Sequence, residues 1–343
     1  MRKRIVWISV VLVVAAIGGM AFDSLRRAGE LETLTPRPLD CRAVTGVIGP
    51  EDITVDRARA VAYIAATDAR AFGQGRPARG ALYRYALGDA KPQQLYTSND
   101  DSFHPHGIGY WTDGRGPDLL YVVNHRTNTS HTIEVFEVDD AGARHRNTIR
   151  DPLLVSPNDV VAVARDELYV TNDHGVNRGP GQLVDDLLRR ERAQIVHFKD
   201  GAFRVLASDL AYANGVNASA NGREVYVAEA VGRRLRVYAR AGSGDLTLQH
   251  TIELGTGADN IELAPDGSLY IGAHPKLLTF LRHASDPKVP SPSEVVRVVN
   301  GRAEQIFLDL GGALSASTVA APFDRRLLIG SVFADRFLDC ALP

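Results

Sequence analysis

The segment DNIELAPDGSLYIGAH, residues 259–274, contains two short apolar strands joined by Asp-Gly, a dipeptide preferred in tight β-hairpin turns. A polar pair opens this segment and a histidine closes it. Five other segments share the order of polar opening, apolar strand, turn and second strand. They are EDITVDRARAVAYIAATD from 51, HGIGYWTDGRGPDLLYVVNH from 106, NDVVAVARDELYVTNDH from 158, NGVNASANGREVYVAEA from 214 and STVAAPFDRRLLIGSV from 317. A unit repeated at intervals of roughly 50 residues is typical of a β-propeller.

Further strand candidates lie between the repeats. They are ALYRYAL (81–87), TIEVFEV (132–138), AQIVHF (193–198) and RLRVYAR (234–240). With the hairpins they give about four strands per period, which is the content of one propeller blade. We therefore predict an all-β fold, a six-bladed β-propeller around a central channel. Helical periodicity is limited to residues 5–22 and QLVDDLLRR (182–190). A pair of β-sandwiches is the competing architecture, and it does not explain six repeats of one kind.

The N-terminus has three basic residues, at positions 2–4, followed by the uncharged apolar run IVWISVVLVVAAIGGMAF (5–22). A signal peptide and a spanning helix both fit this order. Because the run is long and no clear cleavage site closes it, we interpret residues 1–22 as a signal anchor, 23–40 as a linker and 41–343 as the six-bladed propeller domain. The basic residues favour a cytoplasmic N-terminus. The propeller would then face the periplasm or cell exterior, or be secreted if the segment is cleaved.

The only two cysteines, Cys41 and Cys340, lie at opposite ends of the chain that follows the apolar run. In an exported protein such a pair most simply forms a disulfide. Two buried free thiols are the alternative. A bond between them would bring the two ends of the propeller together, as a closed ring requires.

The charges are nearly balanced, with 39 Lys and Arg, 41 Asp and Glu, and a net charge of −2. No basic tract is present. The sequence therefore predicts no nucleic-acid partner.

The polar residues that open the repeats occupy equivalent positions, which a propeller relates by rotation about its axis. They are Glu51-Asp52, His106-Gly107, Asn158-Asp159, Asn214-Gly215, Asp259-Asn260 and Ser317-Thr318. We expect them to converge on one mouth of the channel. Carboxylates and amides without cysteine are typical of Ca²⁺, which takes about six to eight oxygen ligands, whereas zinc prefers nitrogen and sulfur. Asp and Asn also open many turns, but that does not explain their recurrence at equivalent positions.

The end of each hairpin returns beside its start, which predicts several side-chain neighbours. The pairs are His106 with His125, Asp159 with Asp173 and His174, and Asn260 with His274. A neutral imidazole beside a cation can deprotonate water, and a second imidazole can accept that proton. We expect His106 to be this base, His125 its partner, and His104 to be solvated or outside the immediate site.

At the level of motifs the chain resembles the serum paraoxonase/arylesterase family of calcium-dependent lactonases with a six-bladed propeller. The shared motifs include PHGI, LLYVVNH, PNDVVAV, TNDH, ANGVN, DNI and AHP, and they run in family order from about residue 41 to 340. The resemblance implies two calcium ions. The ligands of the catalytic ion would be Glu51, Asn158, Asn214, Asp259 and Asn260, and those of the deeper structural ion Asp52, Asp159 and the backbone carbonyl of Ile108. It also implies that His106 and His125 form the catalytic dyad.

This resemblance predicts a hydrolase of small lactones and aryl esters, with weak activity on organophosphate triesters, attached to a membrane through its N-terminal segment. One departure is the charged segment GPGQLVDDLLRRERAQ (179–194), which is unlike a lipid-binding helix. A sugar lactonase of the gluconolactonase/regucalcin type, with a single metal, is the nearest alternative. The doublets Glu51-Asp52 and Asn158-Asp159 argue against it. A non-catalytic calcium-stabilised propeller scaffold is the other alternative, and the histidine pair argues against that.

Overall fold

Six four-stranded antiparallel sheets account for nearly all of the regular structure in a computed structural model that describes residues 18–99, 101–177, 179–188 and 190–342. Each sheet is one blade, and in blades one to five the four strands follow each other in sequence from the inside outward. Each of the six repeats begins at an inner strand, and the four candidate segments between repeats form the third strands of their blades. The predicted six-bladed propeller is confirmed.

The first five blades have the following strands, from inner to outer. Blade one is β2 (Pro50–Asp56), β3 (Val61–Ala66), β4 (Ala81–Ala86) and β5 (Gln93–Thr97); blade two is β6 (Pro105–Trp111), β7 (Asp118–Thr127), β8 (Ser130–Asp139) and β9 (Gly142–Ile149); blade three is β10 (Pro157–Ala164), β11 (Glu167–Asn172), β12 (Ala193–Lys199) and β13 (Ala202–Leu210); blade four is β14 (Ala213–Ala218), β15 (Glu224–Glu229), β16 (Arg234–Arg240) and β17 (Leu246–Glu253); blade five is β18 (Gly257–Leu263), β19 (Leu269–His274), β20 (Ser293–Val299) and β21 (Arg302–Asp309).

Blade six closes the ring with strands from both ends of the chain. It is formed by β22 (Ser317–Phe323), β23 (Arg326–Ser331), β24 (Arg336–Ala341) and, as its outermost strand, β1 (Cys41–Thr45). Cys41 lies directly opposite Cys340 in this antiparallel pair, and the two form a disulfide. As an edge strand, β1 pairs with β24 alone. The disulfide adds a covalent link there between the start of the propeller and its end.

The core consists of six apolar clusters, one at each seam between neighbouring blades. Between blades two and three, for example, Tyr121 and Ile133 pack with Val160, Leu168 and Val196. Both faces of a blade are covered by its neighbours, so a second strand such as β3 (VAYIAA) is buried along its whole length and is a short apolar run. The inner strand of each blade also contacts the inner strands of both neighbouring blades, which closes the ring around the channel.

Four helices lie outside the blades in the described part of the chain. They are α1 (residues 18–27), α2 (Ala69–Gly73), α3 (Pro180–Leu187) and α4 (Leu277–Ser285). Helix α3 occupies the one internal segment for which the sequence indicates helical periodicity. Helices α2 and α4 are inserted between strands of blades one and five and were not predicted. None of the helices within the described ranges is long and apolar enough to span a bilayer. The predicted anchor falls largely on residues 1–17, which lie outside the described residues.

The segment predicted to be a linker is in contact with the propeller. The backbone N–H of Leu277 donates to the carbonyl of Ala28, and the carboxylate of Glu30 accepts from both the backbone N–H and the hydroxyl of Thr279. Arg37 pairs with Leu308 through two backbone hydrogen bonds. Glu30 thereby binds a free N–H in the first turn of α4, where an acidic group also complements the helix dipole.

Candidate active site

Every inner strand has a register shift close to its start, at the position where its repeat opens. The shifts lie between Pro50 and Asp52, Pro105 and Ile108, Pro157 and Val160, Ala213 and Val216, Ala258 and Ile261, and Ser317 and Val319. A β-bulge takes a residue out of the regular ladder and re-aims its side chain. Most of the polar residues that the sequence predicts to converge are the bulged residues themselves; the exceptions are Asp52, which pairs with Ala65, and Ser317, which pairs with Ser331. Six equivalent bulges therefore present them at one end of the channel.

Contacts between bulges link the blades around this end. Asn260 of blade five donates to the carboxylate of Glu51 in blade one over 2.8 Å, and Glu51 lies 3.7 Å from Nδ1 of His106 in blade two. The hydroxyl of Thr318 in blade six donates to the Glu51 carbonyl. Gly107 lies so close to blade three that an added Cβ would come 2.5 Å from the Asn158 carbonyl oxygen, so a larger residue does not fit there. The predicted residues are therefore neighbours.

Four buried side-chain oxygens in this cluster have no hydrogen-bond partner among the residues that the structure describes. They are Oε2 of Glu51 and the Oδ1 atoms of Asn158, Asn214 and Asn260. All four side chains belong to residues that are 5% exposed or less, so bulk water does not satisfy them. A buried oxygen without a partner costs about 1–3 kcal/mol. Four such oxygens from four blades indicate a group that the protein atoms alone do not supply.

His274 contacts Asp259, with Nε2 2.7 Å from the carboxylate, and not Asn260 as the sequence analysis expected. The reason is the bulge between Ala258 and Ile261, which shifts the pairing of β18 with β19 and turns Asp259 towards the end of β19. Regular alternation would have placed the other residue there. Asp159, which was expected beside Asp173 and His174, accepts hydrogen bonds inside the channel from the N–H groups of Val160 and Val216. Asp173 accepts from the hydroxyl of Ser156 and contacts Nδ1 of His174.

The second residues of two doublets lie deeper. The Asp52 carboxylate accepts from the N–H of Ile53 at 2.8 Å and from that of Ile108 at 2.7 Å. Asp159 repeats this arrangement one blade pair further on, accepting from Val160 at 2.7 Å and from Val216 at 2.8 Å. Each carboxylate thus connects two blades.

A cavity of about 40 Å³ lies below the upper cluster, and Asp52, Ile108 and Asp159 line it as the sequence analysis expected. Glu262 is a third carboxylate in the lining, and it was not predicted from the sequence. The sequence could have indicated Glu262, because it follows Asn260 by two positions and successive side chains of a strand alternate between its two faces.

The channel concentrates buried negative charge. Burial raises the pKa of Glu51 well above its usual range, and the nearby Asp259 raises it further. Burial likewise raises the pKa of Asp52, with Glu51 adding to the shift, and the pKa of Asp159, with Asp52 adding to it. Neighbouring carboxylates in a low-dielectric site disfavour each other's ionised forms, and a bound cation removes that penalty.

The donor chemistry of the channel fits a hard cation. No group of three or more His, Cys, Asp or Glu side chains with metal-binding geometry occurs in the described ranges. The unpartnered oxygens instead come from one carboxylate and three amides, and carboxylate and amide oxygens are the ligands that Ca²⁺ accepts. Sulfur is absent from this set, which argues against zinc.

His106 and His125 are adjacent at the rim of this cluster, with ring centroids 5.1 Å apart. Burial lowers the pKa of His106, although Asp259 and Asp173 partly oppose the shift, so the ring is neutral near pH 7 and able to accept a proton. Phe72 of α2 packs near this pair, with its centroid 6.5 Å from that of His125. The predicted pairing of the two histidines agrees with this arrangement.

His104 is buried, so of the two expectations for it the solvated ring is wrong and the place outside the immediate site remains. Its Nδ1 lies 2.7 Å from the His125 carbonyl and its Nε2 lies 3.2 Å from Asp101. The Phe72 ring packs against it at a tilt, with centroids 4.4 Å apart. Strand alternation does not account for its burial. His104 is covered by α2, an insertion whose position over β6 depends on contacts between residues far apart in sequence. His104 therefore supports the backbone at His125.

Comparisons with known proteins show the family of this chain. Residues 90–342 match the model of the arylesterase family. Serum paraoxonase/arylesterase 2 of Gallus gallus is 32% identical over 321 residues, covering 88% of this chain and 89% of the relative. Serum paraoxonase/arylesterase 1 of Homo sapiens is 35% identical over 240 residues, covering 68% and 67%. Among solved structures, the calcium-binding protein regucalcin of Agrobacterium tumefaciens has a TM-score of 0.55 at 13% identity, covering 90% of this chain and 96% of that one. The last likeness shows the fold alone.

The fold and the matched family define a class, the six-bladed β-propeller hydrolases that act on carboxylic esters. Within that class the chain belongs to the arylesterase family, and the similarity to serum paraoxonase/arylesterase proteins extends over most of its length.

Proposed function

We propose that this protein is a calcium-dependent hydrolase of small lactones and aryl esters, in which His106 is the general base for the attacking water. The observation that carries the proposal is the convergence of four buried, unpartnered oxygens from four blades beside a histidine pair. Family membership supports the ester-hydrolysing chemistry. Organophosphate triesters would be weak secondary substrates, because they too present a polarisable oxygen and a good leaving group.

Two calcium ions are the most economical occupants of the channel. The upper one would be held by Glu51, Asn158, Asn214, Asp259 and Asn260, and the deeper one by Asp52, Asp159 and the Ile108 carbonyl. When bound, the upper ion polarises the scissile carbonyl as a Lewis acid. The separate deep cavity between Asp52 and Asp159 supports two ions. It also disfavours the single-metal sugar lactonase as an alternative.

The side chains of the rim perform the remaining steps. The neutral ring of His106 accepts the proton of the attacking water, and the adjacent ring of His125 stabilises the charge that His106 then carries. Phe72 covers this side of the pair with an apolar ring, which reduces the water in contact with it. The exclusion of water strengthens the interactions between charged groups inside the site.

The test is hydrolysis of a panel of aliphatic lactones and phenyl acetate by the full-length protein, with a calcium chelator and after calcium is restored. We expect turnover that is lost with chelator and recovered with calcium, together with bound calcium detected by elemental analysis. Calcium binding without turnover of any panel member would favour the non-catalytic scaffold. Turnover that is insensitive to chelator would contradict the role of calcium.

We also propose that residues 1–22 anchor the protein in a membrane with the propeller outside the cytoplasm. The support is the basic-then-apolar order of the N-terminus and the disulfide between Cys41 and Cys340, a bond typical of exported proteins. Full-length protein should sediment with membranes, and protease added outside should reach residues beyond about 35. A soluble mature form that begins near residue 22 would contradict the anchor.

A further inference from the structure

A third imidazole, His131, extends the histidine pair of the site. Strands β7 and β8 form a hairpin in which His125 lies directly opposite His131. Side chains at directly opposite positions of an antiparallel pair interact. The two Nδ1 atoms are 2.8 Å apart, and the rings meet edge to face, with centroids 4.9 Å apart and planes at 88°. The three rings of His106, His125 and His131 therefore form a continuous row.

A contact between two Nδ1 atoms restricts the tautomers of both rings. A hydrogen bond requires that one Nδ1 carries a proton and that the other accepts it. Because His131 engages Nδ1, any proton exchange between His125 and the site would go through Nε2. The orientation of the His125 ring beside His106 thus depends on a partner six residues further along the chain.

The contact with His125 is the polar contact that the His131 ring makes within the described part of the chain. Its Nε2 is buried and has no partner among the described residues, so Nδ1 makes the polar contact of this half-buried ring. Burial lowers the pKa of His131, Asp173 opposes this shift and His106 adds to it. The ring is therefore neutral near pH 7 and forms a bond between two neutral groups with His125.

We propose that His131 is a positioning residue of this enzyme, whose Nδ1 holds His125 in one tautomer and one ring orientation next to His106. The inference rests on the proposed function, since His125 is the partner of the base only if the site hydrolyses its substrate there. Partners that orient metal-binding histidines contribute about 10–100-fold to metal affinity or activity, and we expect an effect of this size for the orientation of His125.

Two isosteric variants of His131 test the inference in the full-length protein. In His131→Asn the side-chain amide occupies the place of Nδ1 and keeps a bond to His125, whereas in His131→Gln it occupies the place of Nε2 and does not. We expect the Asn variant to keep kcat within about threefold and the Gln variant to lose about 10–100-fold in kcat with little change in KM. His145→Gln is the matched control, because His145 lies in the same blade and bonds Glu134. It should leave kcat unchanged.

The tautomer of His125 can also be read directly. Long-range proton–nitrogen NMR on protein with labelled histidines should show one tautomer for His125 in the wild type and in His131→Asn, and a mixture in His131→Gln. Equal kcat in the two variants, whether both high or both low, would overturn the inference, as would a mixture of tautomers in the wild type. If no panel substrate is hydrolysed by any form, the proposed function fails, while the NMR result still decides whether His131 orients His125.

Discussion

Replacing Asp159 should separate the stabilising role of the deep cavity from the chemistry above it. Asp159 contacts the N–H groups of Val160 and Val216, so it joins blades three and four, and it lines the cavity of about 40 Å³. Asp159→Asn keeps the size of the side chain and one acceptor oxygen but removes a negative charge. We expect the deeper calcium ion to be lost, while the contact to a neighbouring blade survives in part.

The size of the effect follows from linkage. A cation that binds only the folded state adds RT ln(1 + [L]/Kd), which is about 4 kcal/mol when calcium exceeds Kd roughly a thousandfold. With an unfolding entropy of about 2.1 cal/mol/K per residue over roughly 300 residues, this corresponds to about 6 °C in the melting temperature. Asp159→Asn should lose this calcium-dependent rise in melting temperature. Hydrolysis assayed at 25 °C should be affected less than the melting temperature is.

Asn214→Ala is the matched variant in the upper cluster. The Asn214 amide oxygen has no hydrogen-bond partner in the described part of the chain, so its removal should change little when calcium is chelated. With calcium present, hydrolysis should be lost, while the calcium-dependent rise in melting temperature that comes from the deep cavity remains. The assay is a calcium titration of melting temperature and of lactone hydrolysis on both variants. If both lose stability and activity in the same proportion, the two-ion division is wrong and a single shared site replaces it.

Three further predictions concern the base, the closure and an outer ion pair. His106→Gln should lower turnover by roughly 10²–10⁴ with unchanged bound calcium by elemental analysis; full activity would mean that another group activates the water. Replacing Cys41 and Cys340 by Ser opens a loop with a sequence separation of 299. In the chain-entropy model this should lower the free energy of unfolding by roughly 6 kcal/mol, and a urea midpoint equal to that of the wild type would refute the role of the bond. Burial alone would raise the pKa of Asp339, but hydrogen bonds, above all from Arg326, lower this pKa overall. The carboxylate therefore stabilises the fold at pH values above its pKa in the unfolded chain. This stabilisation is lost as the pH falls through its lower pKa in the folded protein. Asp339→Asn should cost about 1–3 kcal/mol at pH 7, and a urea-unfolding difference that persists at pH 2 would contradict this.

The sequence by itself determined the architecture and the identity of most site residues. Hairpin turns such as Asp266-Gly267 and the short apolar strands beside them are local signals, and the sixfold recurrence of this pattern was sufficient to predict the number of blades. The pairing of Cys41 with Cys340 followed from their being the only two cysteines. Rotation about a common axis then predicted that Glu51 and Asn260 meet, although 209 residues separate them.

Only the tertiary structure decided which atoms face each other at the rim. A single bulged residue reverses the facing of a side chain, and for this reason His274 bonds Asp259 instead of Asn260. His104 is buried because an inserted helix lies over it, and His131 reaches His125 because of the register of a hairpin at the rim of blade two. The position of a bulge and the docking of an insertion depend on packing between blades. Such packing depends on residues far apart in sequence, so a local sequence pattern does not predict it.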